Sequence, residues 1–277
     1  MNEIIIKRKI EDSIIEDINS YDITTDNIFD ESYISKAFFL AKEAGVISGI
    51  NVIRMVFLII DESIKFCSFV HNGDKVKEGT LIATVEGPTK SILKGERVAL
   101  NYIQRMSGIA SLTSMYVDEI SEYDALIVDT RKTTPLNRVF EKQAVRDGGA
   151  LNHRYNLSDG VMLKDNHIKA IGSIKEAVKK VKSKIGLMVK IEVEVDNIED
   201  FKEALNTEVD VIMLDNMSIE KMRECVILNN KKKIIEASGN MSLSRVKEVA
   251  AVGVDYISVG ALTHSFKSLD ISLKFEK

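Results

Sequence analysis

From Asp129 to Ile168 the chain reads DTRKTTPLNRVFEKQAVRDGGALNHRYNLSDGVMLKDNHI, and Arg131, Lys132, His153, Arg154, Lys164 and His167 stand in it among glycines and short apolar runs. On a solvated helix face such cations recur at helical spacing opposite acids. Here they follow apolar segments directly, after Ile127-Val128-Asp129 and after Val161-Met162-Leu163. That is where residues at the mouth of a strand stand.

The same grammar continues outward. After Asp124, apolar runs end one after another in polar residues: 125–128 at Asp129, 161–163 at Lys164, 188–195 around Glu194, 211–214 at Asp215, Ile234-Ile235 before Ser238-Gly239, and 256–259 at Gly260. Between the later runs lie the amphipathic segments 173–184, 218–229 and 242–252, each opening with a serine suited to an N-cap. Alternating strand and helix predicts a parallel α/β domain, an incomplete TIM-like barrel whose strand C-termini converge on one mouth. Arg131, Lys132, Lys164, Glu194, Asp215 and Gly239 are therefore expected to face one pocket.

Before Asp124 the texture differs. Residues 10–20 are amphipathic and lead into Asp22-Ile23-Thr24-Thr25-Asp26, which suits capping and turn chemistry. Short apolar runs between glycines from Ala37 to Val85 predict an open sheet, with a helix near 52–60 and a long helix over 93–119. The division expected is an N-terminal α+β domain over 1–108 and the barrel over 109–277, with the last residues packing back on the first domain.

With 45% hydrophobic residues and a net charge of -4, the chain can bury a sizeable core and carries no global field for nucleic acid or an anionic membrane. Cys67 and Cys225 lack metal-ligand spacing and read as buried, reduced thiols, and no stretch suits a signal peptide or a membrane span. A cytoplasmic location follows as the expectation.

Chemically, the collected residues are several cations, two lone carboxylates and two glycine-containing turns. No nucleophile has a base beside it, and His153 and His167 read as too isolated from carboxylates or cysteines to form a metal site. Cations at this density suit an anionic substrate, and arginine forks suit carboxylates. Ser238-Gly239-Asn240 and the turn from Gly260 to His264 suit phosphate. Glu192 and Glu194 share a strand face, of which one end approaches the mouth. Asp215 is open to two readings, site carboxylate or helix N-cap.

DTRKTTP, EKxAVR, NHR and LKDNHI at this spacing, with GERVALN, IEVEV, IMLDNM, EASGN and VDYISVGALTHS, resemble quinolinate phosphoribosyltransferase over nearly the whole chain. The resemblance implies a pentosyltransferase of pyridine nucleotide biosynthesis, one that joins quinolinate to phosphoribosyl pyrophosphate (PRPP) with decarboxylation to nicotinate mononucleotide. It further implies that Arg131, His153, Arg154, Lys164 and, from a neighbouring subunit, Arg97 bind quinolinate. Lys132 and Lys164 would face the phosphoribosyl donor, Glu194 and Asp215 the ribose, and Ser238, Gly239, Asn240, Gly260 and His264 the 5-phosphate. Lys132, Glu194 and Asp215 would carry the chemistry, Mg2+ would travel with the pyrophosphate, and the protein would be a homodimer or higher homo-oligomer.

Two positions depart from the family pattern: Leu136-Asn137 stands where Gly-Leu is usual, and Tyr21 replaces a glycine. A non-glycine residue does not freely take positive φ, so the turn after Pro135 is placed in question. Two other readings remain at this point. One is a paralogue associated with molybdenum transport, disfavoured because Asn152-His153-Arg154 and Lys164-Asp165-Asn166-His167 are intact. The other is a carrier, since Gly73-Asp74-Lys75-Val76-Lys77-Glu78-Gly79 resembles biotinyl and lipoyl hairpins, with Lys90 as the modified residue.

Overall fold

The computed structural model describes residues 3–30 and 32–276. Contacts group the chain into two units that interleave along the sequence: Met1–Ser114 with Pro135–Gly149 and Phe266–Lys277, and Met115–Thr134 with Ala150–Ser265.

The first unit opens with α1 (Glu3–Asp17), which buries Ile6 and Ile10. It continues through the single turn α2 (Thr25–Ile28), where the Asp22 carboxylate accepts the Thr24 and Thr25 N–H groups at 3.0 Å. The extended runs become β1 (Ile34–Ala41), the short β2 (Gly45–Val46), β3 (Lys65–Ser68), β4 (Lys75–Val76) and β5 (Leu81–Pro88), with α3 (Ile50–Ile60) between β2 and β3. Helix α3 is apolar enough to bury Val52, Ile53, Val56 and Phe57, and the Phe57 ring meets Phe39 of β1 edge-on at 6.0 Å. Helix α4 (Thr89–Glu119) is longer than expected by a turn at its start. Lys90 therefore lies in its first turn, not on a hairpin, with Nζ 3.7 Å from Asp26, and the carrier reading fails. Gly108 allows the chain near Lys267 to press against α4, because a Cβ there would lie 2.2 Å from the Lys267 carbonyl.

The second unit begins with β6 (Leu126–Val128). The chain then makes α5 (Arg138–Asp147), which belongs to the first unit and buries Phe140, Ala144 and Val145. Next come β7 (Val161–Leu163), α6 (Asp165–Ile171), α7 (Ile174–Lys182), β8 (Ile191–Val195), α8 (Ile198–Leu205), β9 (Val211–Asp215), α9 (Ile219–Asn229), β10 (Ile234–Ser238), α10 (Leu243–Ala250), β11 (Tyr256–Ser258) and α11 (Ala261–His264). The six strands pair in parallel in the order β6-β11-β10-β9-β8-β7. This is a TIM-like arrangement short of the usual eight strands. Strand β12 (Ile271–Phe275) returns to the first unit and pairs antiparallel with β1, giving the sheet β12-β1-β5-β3.

The period-two pleat sorts the barrel side chains. Ile191, Val193, Val195, Ile212, Leu214, Ile235, Ala237 and Ile257 are buried, under helices such as α7, α8 and α10. The alternate positions, Glu192, Glu194, Asp215, Glu236, Ser238 and Ser258, are polar and line cavities. Ser173, Ser218 and Ser242 cap α7, α9 and α10 by accepting the N–H three residues on. The cysteine expectation holds for Cys225, whose thiol burial pushes up to about 11. It fails for Cys67, which is exposed on β3 because β3 borders its sheet.

Candidate active site

A cavity of about 510 Å³ lies within the second unit at the carboxyl ends of its strands, and Arg131, Lys132, Lys164, Glu194, Asp215 and Gly239 all line it. His153, Arg154, Ser238 and Asn240 join them, together with Thr130, Asn216, Glu236, Ser258 and two methionines. Gly260 and His264 fall outside the lining but adjoin it. A Cβ on Gly260 would meet Lys132 Cδ and His264 Nε2 at 3.1 Å, so the bare backbone there accommodates the Lys132 stem. Arg97 is exposed on α4, in the part of that helix assigned to the first unit.

The cations are placed by bonds to several different segments. Lys132 N–H donates to Thr130 Oγ1 at 3.0 Å, and the Thr263 hydroxyl donates to the Lys132 carbonyl at 2.9 Å. Asp129, fully buried after β6, accepts the His153 N–H at 2.8 Å and the Asn152 amide at 2.7 Å, which ties the NHR segment to the end of β6. Asp129 is a site residue that the sequence reading passed over; its position directly after an apolar run was the signal. The Arg154 guanidinium donates to the Gly160 carbonyl at 2.9 Å. Burial, and then the neighbouring charge of Arg131, hold its pKa below the ordinary arginine value. Lys164 pairs with Glu194 at 2.7 Å, and its backbone N–H donates to His167 Nδ1 at 3.0 Å, so His167 caps α6 locally.

Asp215 ends β9 and accepts from Asn216 Nδ2 at 2.8 Å. Ser218, not Asp215, caps α9, which removes the N-cap reading. The loops after β9 and β10 interlock, with Asn216 at φ 53°, Gly239 at φ 100° and Asn240 at φ 48°. The Asn216 N–H bonds the Ser238 carbonyl at 3.0 Å, and Asn240 Nδ2 donates to Asn216 Oδ1 at 3.3 Å. Ser238, Gly239 and Asn240 therefore form one surface braced by Asn216.

The expectation that His153 is isolated from carboxylates is overturned. Its Nε2 lies 3.0 Å from Glu192 Oε2 and 3.5 Å from Glu236 Oε2. Both glutamates are buried, at 6% and 4% exposure. They come from β8 and β10, far apart in sequence, and meet only because the barrel curls. Burial opposes charge on the imidazole, but hydrogen bonds to the two carboxylates outweigh it and push its pKa up to about 10. The Arg154 N–H donates to Nδ1 at 2.7 Å, where a second ring proton would have to sit. The retained proton is thus shared with the carboxyls, and burial, with the charge of Glu236, raises the Glu192 pKa. Because Nδ1 accepts, Nε2 carries the hydrogen and has no lone pair to offer a cation.

Two guanidiniums and two ammoniums line one cavity, one ammonium paired with Glu194 and the two guanidiniums close enough for Arg131 to act against the charge of Arg154, an arrangement suited to an anion. A parallel α/β barrel with such a mouth defines a protein that handles small anionic substrates at its strand ends. Comparison with known proteins makes this specific. Residues 22–107 match the N-terminal domain and residues 109–274 the C-terminal domain of quinolinate phosphoribosyl transferase, and the chain belongs to that family. It is 43% identical over 273 residues to a probable nicotinate-nucleotide pyrophosphorylase (carboxylating) of Bacillus subtilis, covering 99% of this chain and 94% of the relative. The crystal structure of NadC from Streptococcus pyogenes superposes with a TM-score of 0.96 at 40% identity, covering 100% of this chain and 99% of that one. The nicotinate-nucleotide pyrophosphorylase of Francisella tularensis gives 0.96 at 36% identity, covering 100% and 98%.

Proposed function

We propose that this chain transfers the phosphoribosyl group of PRPP to quinolinate and releases nicotinate mononucleotide, carbon dioxide and pyrophosphate, a step of de novo NAD synthesis. The observation that carries this reading is the gathering of Arg131, Lys132, Arg154 and Lys164 with Glu194 and Asp215 around one cavity, in a chain of this family. Arg131 and Arg154, with Lys164, take the two carboxylates, while His153, bonded through both ring nitrogens, holds the NHR segment over Glu192 and Glu236 beneath them. The mutual repulsion of the cations is relieved by a dianion, which favours quinolinate over a monoanionic pyridine. The loop Ser238-Gly239-Asn240, with Gly260 and His264 beside Lys132, takes the 5-phosphate.

Glu194 and Asp215 face the ribose and offset the positive charge that grows on the ring as pyrophosphate leaves. The pyridine nitrogen bonds to C1 of the ribose, and the resulting pyridinium draws electrons so that the adjacent carboxylate departs as carbon dioxide. Glu194 is engaged by Lys164 and Asp215 by Asn216; magnesium, carried in with the pyrophosphate, would neutralise leaving-group charge. Arg97, exposed on α4, suits a role in trans in a homodimer. Among the described residues no helix is long and apolar enough to cross a membrane.

The test is incubation with quinolinate, PRPP and Mg2+. Nicotinate mononucleotide and carbon dioxide in equal amounts are expected, and no turnover with either substrate omitted. Turnover of nicotinate in preference to quinolinate would overturn the assignment.

A further inference from the structure

The transfer described above leaves one chemical demand unmet. When carbon dioxide departs, its bonding electron pair stays on C2 of the pyridinium, and one proton must arrive there. Lys164 is engaged by Glu194 and the Lys132 stem lies beside Gly260 in the phosphate-suited turn, so a donor free of those duties is sought deeper in the cavity. The cavity floor holds one.

Glu236 and His153 line both the mouth cavity and a second cavity of about 490 Å³. Val161, Lys190, Val211, Ile234 and Tyr256, at the amino ends of the strands, line that second cavity, and Glu192 opens to it alone. The three side chains thus form a polar partition between the two ends of the barrel. Burying two carboxyls side by side costs several kcal/mol when they stay ionised, and among the described residues Oε1 of each glutamate has no hydrogen-bond partner. Such a pair persists most readily with a proton on it.

We propose that the Glu192–Glu236 carboxyl pair, with His153 Nε2–H donating to it, is the store from which C2 is protonated after decarboxylation, an assignment that rests on the transfer reaction above. Glu236 is the member that reaches the mouth. Its O–H bond breaks, the C2–H bond forms with the electron pair left by carbon dioxide, and the pair is left doubly ionised. Water in the second cavity then reloads it through Glu192. The charges that face the pair are Arg154, which acts on Glu192 from the NHR segment, Asp159 and Lys190 around the lower cavity, and Arg131 and Lys164 above. Glu236 is a catalytic residue in this scheme, while Glu192 and His153 are positioning residues.

The experiment is rapid-quench analysis of Glu236→Gln and Glu192→Gln, following pyrophosphate, quinolinate mononucleotide and nicotinate mononucleotide separately. Loss of a positioned general acid slows its step by about 10²-fold or more. Glu236→Gln is therefore expected to slow nicotinate mononucleotide formation at least tenfold more than pyrophosphate release, and because a C2 carbanion that finds no proton recaptures carbon dioxide, the undecarboxylated nucleotide accumulates. The wild-type rate of the decarboxylating phase is expected to fall as pH rises, and that limb to flatten in Glu236→Gln. Thermal unfolding identifies a variant that is merely misfolded, and Glu236→Asp, which keeps the acid, should recover part of the second phase. Equal slowing of both phases, an unchanged pH profile, or binding of Zn2+ by the wild type that Glu192→Gln abolishes would overturn the assignment. An inactive wild type would instead refute the transfer reaction.

Discussion

Replacing Gly239 by alanine probes the brace between the loops after β9 and β10. A Cβ there would lie 2.2 Å from Asn216 Oδ1, 2.6 Å from its Cγ and 2.8 Å from its backbone nitrogen, at a φ of 100°. The Asn216 side chain can swing away, but its backbone nitrogen cannot, because it is bonded to the Ser238 carbonyl. Forcing a side chain into that backbone region costs about 1–3 kcal/mol. Swinging Asn216 away also forfeits its bonds to Asn240 and Asp215, at about 1 kcal/mol each. The sum, about 3–5 kcal/mol, corresponds to a fall in Tm of about 10 °C for a chain of this size. Differential scanning fluorimetry reads the stability, and steady-state kinetics with each substrate varied reads the site. The KM for PRPP should rise well above any change in the KM for quinolinate, since the phosphate loop is what moves. A Tm within about 2 °C of wild type, with an unchanged KM for PRPP, would refute the reasoning.

Arg154→Ala should weaken quinolinate binding by about 2–5 kcal/mol once the carboxylate is desolvated, seen as a raised KM, whereas Asp215→Ala should mainly lower kcat; equal, small effects from both would count against these roles. Leu136 is 82% exposed at φ 65°. Leu136→Gly relieves about 1–2 kcal/mol of left-handed strain against about 0.5–1 kcal/mol of added chain entropy, so urea denaturation should show a small gain, and a loss above about 1 kcal/mol would contradict the strain. The His153–Glu192–Glu236 cluster keeps a proton that the unfolded chain gives up near pH 6.5, and releases it near pH 10. The folded state then binds more protons than the unfolded one across that window, so stability falls as pH rises through it. Urea midpoints should decline from about pH 6.5 towards 10, less steeply in Glu192→Gln; a flat wild-type profile would show that the cluster holds no such proton.

Local chemistry made much of this protein legible. Apolar runs of strand length ending in Asp129, Lys164, Glu194, Asp215, Ser238 and Gly260 announced parallel strands and the residues at their tips, because a strand presents its last side chains at the sheet end whatever the rest of the chain does. Ser173, Ser218 and Ser242 announced helix starts, because capping is settled within three residues. Leu136 was marked not by local chemistry but by the glycine that the family pattern has there, and it does adopt positive φ. Tyr21, the other departure, has no positive φ and needs no glycine.

What only the tertiary structure decided involves partners remote in sequence. His153, Glu192 and Glu236 lie on three segments separated by dozens of residues. Nothing in their spacing brings them within hydrogen-bonding reach; the order in which β8, β9 and β10 pair does. Asp129 is likewise an ordinary strand-end acid until the NHR segment folds onto it. Lys90 read as a hairpin residue until α4 began a turn early and brought it to Asp26. Short-range hydrogen bonding and side-chain periodicity are written into consecutive residues, whereas the burial of a polar group depends on which distant strands close around it, and that is a property of the completed barrel.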